Sequence, residues 1–120
     1  MHTYSFEKLE VWQLAKKLVV KIYTITSKFP VEEKFGLVSQ LRRAAVSTCS
    51  NLAEGSGRST PKDQANFYNN AYSSLLEVLN QLLIVYDLKW ISEDDLRALR
   101  LDIENISSKI NSLRKSNLIK

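Results

Sequence analysis

The chain contains few of the residues that disulfides, metal sites and frequent turns require. Its 120 residues include one cysteine, Cys49, and one histidine, His2. A single cysteine excludes a disulfide within the chain and favours a reducing compartment. Three glycines and two prolines leave few positions where turns interrupt the chain. The composition therefore favours long helices over a sheet.

Long apolar runs are also missing. No run approaches the roughly 20 residues that a helix needs to cross a bilayer. The first residues, MHTYSFEKLEVW, lack the basic start and the apolar stretch of a signal peptide. We therefore expect a cytoplasmic protein without membrane contact.

Neither sign of charge dominates the sequence. Seventeen Lys and Arg residues against 13 Asp and Glu residues give a net charge of +4. A balance of this size permits an acidic or nucleic-acid partner without requiring one. Hydrophobic residues make up 44% of the chain and charged residues 25%, which is typical of a folded domain rather than a disordered chain.

Four segments have the period of amphipathic helices, and we predict helices over about residues 6–28, 37–54, 61–87 and 93–115. Pro30 ends the first helix, and Gly55 is predicted to cap the second in the left-handed conformation. Thr60 and Ser92 are the predicted N-caps of the third and fourth helices. Because the links are short, successive helices should be antiparallel. The predicted fold is all-α: an up-down-up-down antiparallel four-helix bundle that forms one domain over residues 1–120.

The third predicted helix is apolar nearly all round between Leu75 and Tyr86. A bundle of four equivalent helices does not enclose any one of them, so part of this surface should stay uncovered in a single chain. We therefore expect an interface between copies, which a closed ring or a dimer would form by symmetry.

One face of the second predicted helix carries a row of polar residues at the spacing of a single helical stripe. The row is either solvated surface or a polar layer that faces Glu77 and the serines of the third helix. The candidate structural network consists of Arg43, Ser47, Asn51, Glu54 and Glu77.

Two groups of basic residues are candidate contacts for nucleic acid. Lys16, Lys17 and Lys21 form a cluster on the first helix. Arg58 and Lys62 flank the start of the third helix, where backbone amides attract anions. Phosphate binding is one interpretation of these residues. In the other interpretation, the lysines belong to a solvated helix face and Arg58 and Lys62 to a capping loop.

Reactive side chains do not form a recognisable set. His2 lies at the terminus and Cys49 on the apolar side of the second helix, without partners for nucleophilic catalysis or a metal. The Glu-x-x-His motif of di-iron bundles is absent. We predict no catalytic residue, no metal and no cofactor. A weaker alternative is an enzyme or small-ligand pocket lined by Arg43, Asn51, Glu54 and Glu77.

Several motifs together resemble one family. They are FEKLEVWQLA at residues 6–15, the pair Phe29-Pro30, QLRRAAVS at residues 40–47, NLAEG at residues 51–55, and Gly57-Arg58. With this combination the chain resembles, as far as about Trp90, the bacterial 23S ribosomal RNA intervening-sequence proteins, also called S23 ribosomal proteins. The segment from Ala71 to Gln81 is similar to the third-helix motif of that family.

The resemblance implies a four-helix bundle that assembles as a homopentamer. It also implies a relationship to the accessory variability protein of diversity-generating retroelements, a basic barrel that works with a reverse transcriptase and nucleic acid. Together with the basic residues, the resemblance predicts a non-enzymatic homo-oligomer that binds RNA or DNA. The alternative is a protein-interaction scaffold without a direct nucleic-acid role, which predicts an exposed apolar patch on the assembled ring.

Overall fold

The structure, a computed structural model, describes residues 1–119 and the side chains of residues 1–116. Its four long helices are α1 (Glu10–Thr26), α2 (Leu37–Ser56), α3 (Pro61–Asp87) and α4 (Glu93–Ile119). Two short 3₁₀ turns, Ser5–Lys8 and Val31–Glu33, precede α1 and α2. Residues 1–119 contain no strand, and the all-α prediction is confirmed. Lys120, the last residue of the predicted domain, lies outside the described residues.

The helices form a closed cycle of neighbours. Each helix packs against the next along the chain, and α4 completes the bundle against α1. The interface between α2 and α3 is the most extensive and that between α1 and α4 the smallest. Because the connections are short, neighbouring helices run antiparallel. This arrangement is the predicted four-helix bundle.

Apolar side chains from all four helices form one continuous core. Ile22, Leu41, Leu75 and Ile110 are fully buried and represent α1 to α4 in that order. Burial of one such side chain stabilises the fold by roughly 1.5–3 kcal/mol. The helices are amphipathic, and none within residues 1–119 is apolar over enough of its length to traverse a bilayer.

The first helix begins later than predicted. In place of one helix over residues 6–28, the 3₁₀ turn Ser5–Lys8 is followed by an extended residue, Leu9, with φ −79° and ψ 116°. The Phe6 ring then packs edge-on against Trp12, with 4.9 Å between the ring centroids. A ring contact between neighbouring segments thus replaces the predicted first turn of the helix.

Gly55 does not cap α2, so the predicted left-handed cap is wrong. The helix continues to Ser56, and Gly57 follows with φ −92°. None of the three glycines, all of them within the described residues, has a positive φ. A Cβ atom at Gly55 would lie 2.7 Å from Cε1 of Tyr68 and 3.0 Å from Cβ of Phe67. The glycine is therefore needed for the close approach of α2 and α3.

Side-chain caps begin both later helices. Oγ1 of Thr60 accepts a hydrogen bond from the backbone N–H of Asp63 over 3.1 Å. Oγ of Ser92 accepts one from the N–H of Asp95 over 3.0 Å. These bonds satisfy amide groups that have no partner within the helix. At its other end α4 extends to Ile119, past the predicted end near residue 115.

Apolar side chains remain exposed along α3. Leu76, Leu83 and Ile84 are 37–47% exposed, and Leu88 just beyond the helix is equally open. Leu76 and Leu83 are seven residues apart and so lie on the same side of the helix. A single chain leaves this surface uncovered, as expected from the apolar second half of the third helix.

Candidate nucleic-acid interface

The net charge of the chain lies in its first half. Residues 1–60, which include α1 and α2, contain nine basic and five acidic side chains. Residues 61–120 contain eight of each. α1 and α2, which are neighbours in the bundle, contain five of the nine bases and two of the five acids of residues 1–60, so most of the excess positive charge lies on two adjacent helices.

Every ion pair within residues 1–116 involves α4. Two join neighbouring turns of that helix, and two join it to α1; the pairs are Arg97–Glu93, Arg100–Glu104, Lys21–Asp102 and Lys109–Glu10. The basic side chains Arg97, Arg100 and Lys109 of α4 are thus paired with carboxylates of α4 or of α1. The basic side chains of α2 take no part in such pairs within this range.

The three lysines predicted to cluster on the first helix do lie together, but they differ in whether their charge is compensated. Lys16, Lys17 and Lys21 surround Val20 in a shallow depression of the surface. Lys21 Nζ lies 2.7 Å from a carboxylate oxygen of Asp102, so its charge is already compensated. Lys16 Nζ lies 4.9 Å from the centroid of the Trp12 ring. Lys16 and Lys17 are exposed and are the members available to an external anion.

The second predicted basic group, Arg58 and Lys62, lies where α2 ends and α3 begins. The Arg58 guanidinium stacks on Phe67, with 4.4 Å from its central carbon to the ring centroid. The Arg58 carbonyl accepts a hydrogen bond from Nε2 of Gln64 over 3.1 Å, which fixes the loop before α3. Lys62 is exposed on the first turn of α3. Arg58 also lines a surface depression with Glu54, which partly offsets its charge.

The polar row on α2 is divided between a half-buried part and an exposed part. Ser47 Oγ and Ser74 Oγ share a hydrogen bond of 2.9 Å between α2 and α3. Asn51 Nδ2 donates to the Ser47 carbonyl over 2.9 Å and to its hydroxyl over 3.1 Å. Arg43, Glu54 and Glu77, the other candidates, are exposed. Ser47 thus forms a polar contact between helices, which Asn51 supports from within α2, and the three charged residues lie outside it.

A third basic region lies where the sequence pattern does not predict one. The groove between the end of α1 and the start of α2 is lined by Lys34, Phe35, Arg42 and Arg43, together with Tyr23. Lys34 and Phe35 lie in the connection between helices, where helical periodicity carries no signal. An adjacent base and aromatic residue, followed by Arg42-Arg43, was the only sequence signal for this groove.

Reactive groups do not converge anywhere in the described side chains. No three His, Cys, Asp or Glu side chains within residues 1–116 are grouped as a metal site would require. His2 is exposed and its ring packs edge-on against Tyr4. Burial raises the pKa of the Cys49 thiol, and the charge of Lys16 opposes that rise. The thiol donates weakly to the carbonyl oxygen of Trp12 over 3.9 Å. Such a thiol is a packing group rather than an activated nucleophile.

Comparison with known proteins places the chain in a family. The model of the family described as 23S rRNA-intervening sequence protein matches residues 7–112. A crystal structure of a protein with unknown function from the S23 ribosomal protein family of Bacteroides thetaiotaomicron has the same fold, with a TM-score of 0.79. The two chains are 19% identical, and the match covers 88% of this chain and 98% of the other. No curated protein matches the sequence. The chain therefore belongs to the 23S rRNA-intervening sequence protein family.

Proposed function

We propose that the protein is a non-enzymatic homo-oligomer, a pentameric ring, that binds RNA or DNA through the side of each bundle formed by α1 and α2. The observation that carries the proposal is the uneven distribution of charge. All of the net charge of +4 belongs to residues 1–60, and the ion pairs of residues 1–116 all involve α4. The α1–α2 side thus combines unpaired cations with few compensating acids.

Phosphate groups are the natural ligand for such a surface. A nucleic-acid backbone holds condensed cations, and exposed lysines and arginines that form no ion pair release these cations into solution when they contact the phosphates. Lys16 and Lys17 meet this description on α1, and Arg58 and Lys62 meet it near the start of α3. Binding of this kind depends on charge rather than on sequence, and it weakens as salt is added.

Assembly strengthens the same effect. The exposed leucines of α3 need a partner surface, and a symmetric contact between copies would cover them. Five copies, each with a charge of +4, would carry a charge of about +20 in one particle. Repetition of the basic face around a ring allows one nucleic acid to contact several subunits, which raises the overall affinity without any new contact.

The experiment is a fluorescence-anisotropy titration of the full chain against a labelled RNA hairpin at several salt concentrations. The test variant combines Lys16→Gln with Lys17→Gln. The control variant combines Arg97→Gln with Arg100→Gln, which removes the same charge from α4, where both arginines pair with acids. We expect the test variant to lower the slope of log affinity against log salt by about 1.4–1.8. The control should leave that slope unchanged.

Equal effects of the two variants would show that only the net charge matters and would contradict a site on the α1–α2 side. A hairpin that fails to bind even at low salt, while light scattering shows an intact oligomer, would favour the protein-interaction scaffold instead. A stable monomer at working concentration would contradict the ring, because the exposed leucines would then have no partner surface.

A further inference from the structure

The groove beside Phe35 has the features of a site for unpaired bases. It lies between the end of α1 and the start of α2 and has a volume of about 410 Å³. Its floor and rim are formed by Tyr23, Phe35, Val46 and three basic residues, Lys34, Arg42 and Arg43. A volume of this size lies within the range of small-ligand sites.

Phe35 is the most exposed ring of the chain apart from the terminal segment. Its side chain is 89% exposed, and Lys34 Nζ lies 5.5 Å from the centroid of the ring. One exposed apolar residue is ordinary on a protein surface. Here a second partly exposed ring, Tyr23, lines the same groove. Because the Arg42 guanidinium lies over the Tyr23 ring, Phe35 is the ring whose face is open to a ligand.

Arg42 is held in place before any ligand arrives. Its guanidinium carbon lies 4.5 Å from the centroid of the Tyr23 ring. Its Nε donates to Oγ1 of Thr26 over 2.9 Å, and Nη2 donates to the Tyr23 carbonyl over 3.4 Å. The Thr26 hydroxyl in turn donates to the Ile22 carbonyl over 2.7 Å. A guanidinium fixed in this way loses little conformational entropy when it binds an anion.

No acidic side chain lines the groove. The nearest acids along the chain are Glu32 and Glu33 in the preceding 3₁₀ turn. Glu33 is engaged elsewhere, because its Oε1 accepts a hydrogen bond from the backbone N–H of Leu37 over 3.2 Å. Three cations without a lining acid favour an anionic occupant over an apolar peptide or a neutral molecule.

We propose that this groove binds unpaired nucleotides of single-stranded RNA or DNA, with a base stacked on Phe35 and the flanking phosphates on Lys34 and Arg43. Arg42 and Tyr23 form the fixed wall of the site. A base inside a duplex cannot present its face to a side chain, whereas an unpaired base can. The inference rests on the proposed function and narrows it to a class of nucleic acid and a location.

The test compares two labelled single-stranded decamers, one of thymidines and one with abasic sugars, which have the same phosphates. Wild-type protein should bind the decamer with bases about 5- to 150-fold more tightly, the range of one stacked base. Phe35→Ala should reduce that ratio to near one and leave the affinity for the abasic strand unchanged. The matched control is Val31→Ala, because Val31 is 83% exposed and does not line the groove. It should retain the wild-type ratio.

Each outcome separates the two proposals. A wild-type ratio near one, with both strands bound, contradicts the base site and leaves phosphate binding intact. If the protein binds neither strand, both the base site and the proposed phosphate binding are contradicted. If Phe35→Ala instead lowers the mass measured by light scattering, the groove is a contact between copies of the chain, and the base site is wrong. Circular dichroism should show the variant folded, because the side chain it removes is mostly exposed.

Discussion

Replacement of Gly55 by alanine tests the packing of α2 against α3. The added Cβ would lie 2.7 Å from Cε1 of Tyr68 and 3.0 Å from Cβ of Phe67, closer than real contacts of this kind. Tyr68 is buried and cannot swing away. Overpacking of this kind costs about 1–3 kcal/mol. The higher helix propensity of alanine returns up to about 1 kcal/mol.

Because the 2.7 Å contact with a buried ring places the overpacking cost at about 2–3 kcal/mol, the net expectation for Gly55→Ala is a loss of about 1–2 kcal/mol in the free energy of unfolding. For a chain of this length the melting temperature should fall by about 3–10 °C. Thermal and urea denaturation, followed by circular dichroism at one fixed protein concentration, measure both quantities. A fixed concentration matters because assembly would make the apparent stability depend on it.

Gly57→Ala is the matched control two residues away. A Cβ at Gly57 would have Glu54 O as its nearest neighbour, at 3.6 Å, and the backbone φ of −92° suits any residue. Restriction of the unfolded chain should then stabilise the variant by about 0.4–1 kcal/mol. The need for glycine at position 55 would be contradicted if Gly55→Ala were as stable as wild type, or if the two variants shifted the melting temperature in the same direction and by similar amounts.

Three further predictions use the same chain. Thr60→Ala removes the N-cap of α3 and should cost about 1 kcal/mol in urea denaturation; an unchanged midpoint would show that the cap is dispensable. Ser74→Ala breaks the hydroxyl bond to Ser47 and should cost about 1 kcal/mol, whereas the exposed Ser73→Ala should change stability by less than about 0.5 kcal/mol. Because burial raises the pKa of Cys49, its alkylation at pH 8.5 should be slower than that of a peptide thiol and should accelerate at higher pH. Equal rates for the two thiols would contradict the burial of Cys49.

The parts of the fold that depend on local patterns could be predicted from the sequence. Thr60 and Ser92 cap helices as predicted, because the cap bond joins residues three apart. The period of apolar residues likewise located the long helices, and their short links implied antiparallel neighbours. Such features need no knowledge of distant contacts.

Features that depend on contacts between distant residues could not be predicted. Gly55 resembles a helix cap in sequence, yet its role is set by Tyr68, which belongs to another helix. The delayed start of α1 is accompanied by a local ring contact between Phe6 and Trp12, which helical periodicity does not describe. The sequence allows two interpretations of the polar row on α2, and the structure divides the row because only Ser47 faces a hydroxyl on α3.

The candidate site was predictable only in part. Lysines at helical spacing indicated a basic face on α1, but the sequence could not show that Asp102 compensates Lys21 from 81 positions away. The Phe35 groove joins residues from a connection and two helices, so no single period describes it. Sites of this kind become visible only once the chain is folded.

Binding of nucleic acid through α1 and α2 is tested most directly by the affinity of the wild-type protein for an RNA hairpin at 50 and 200 mM salt. Displacement of counterions by at least two phosphate contacts predicts that the affinity falls about tenfold or more over this range. An affinity that is equal at both salt concentrations would contradict binding through the unpaired cations of α1 and α2.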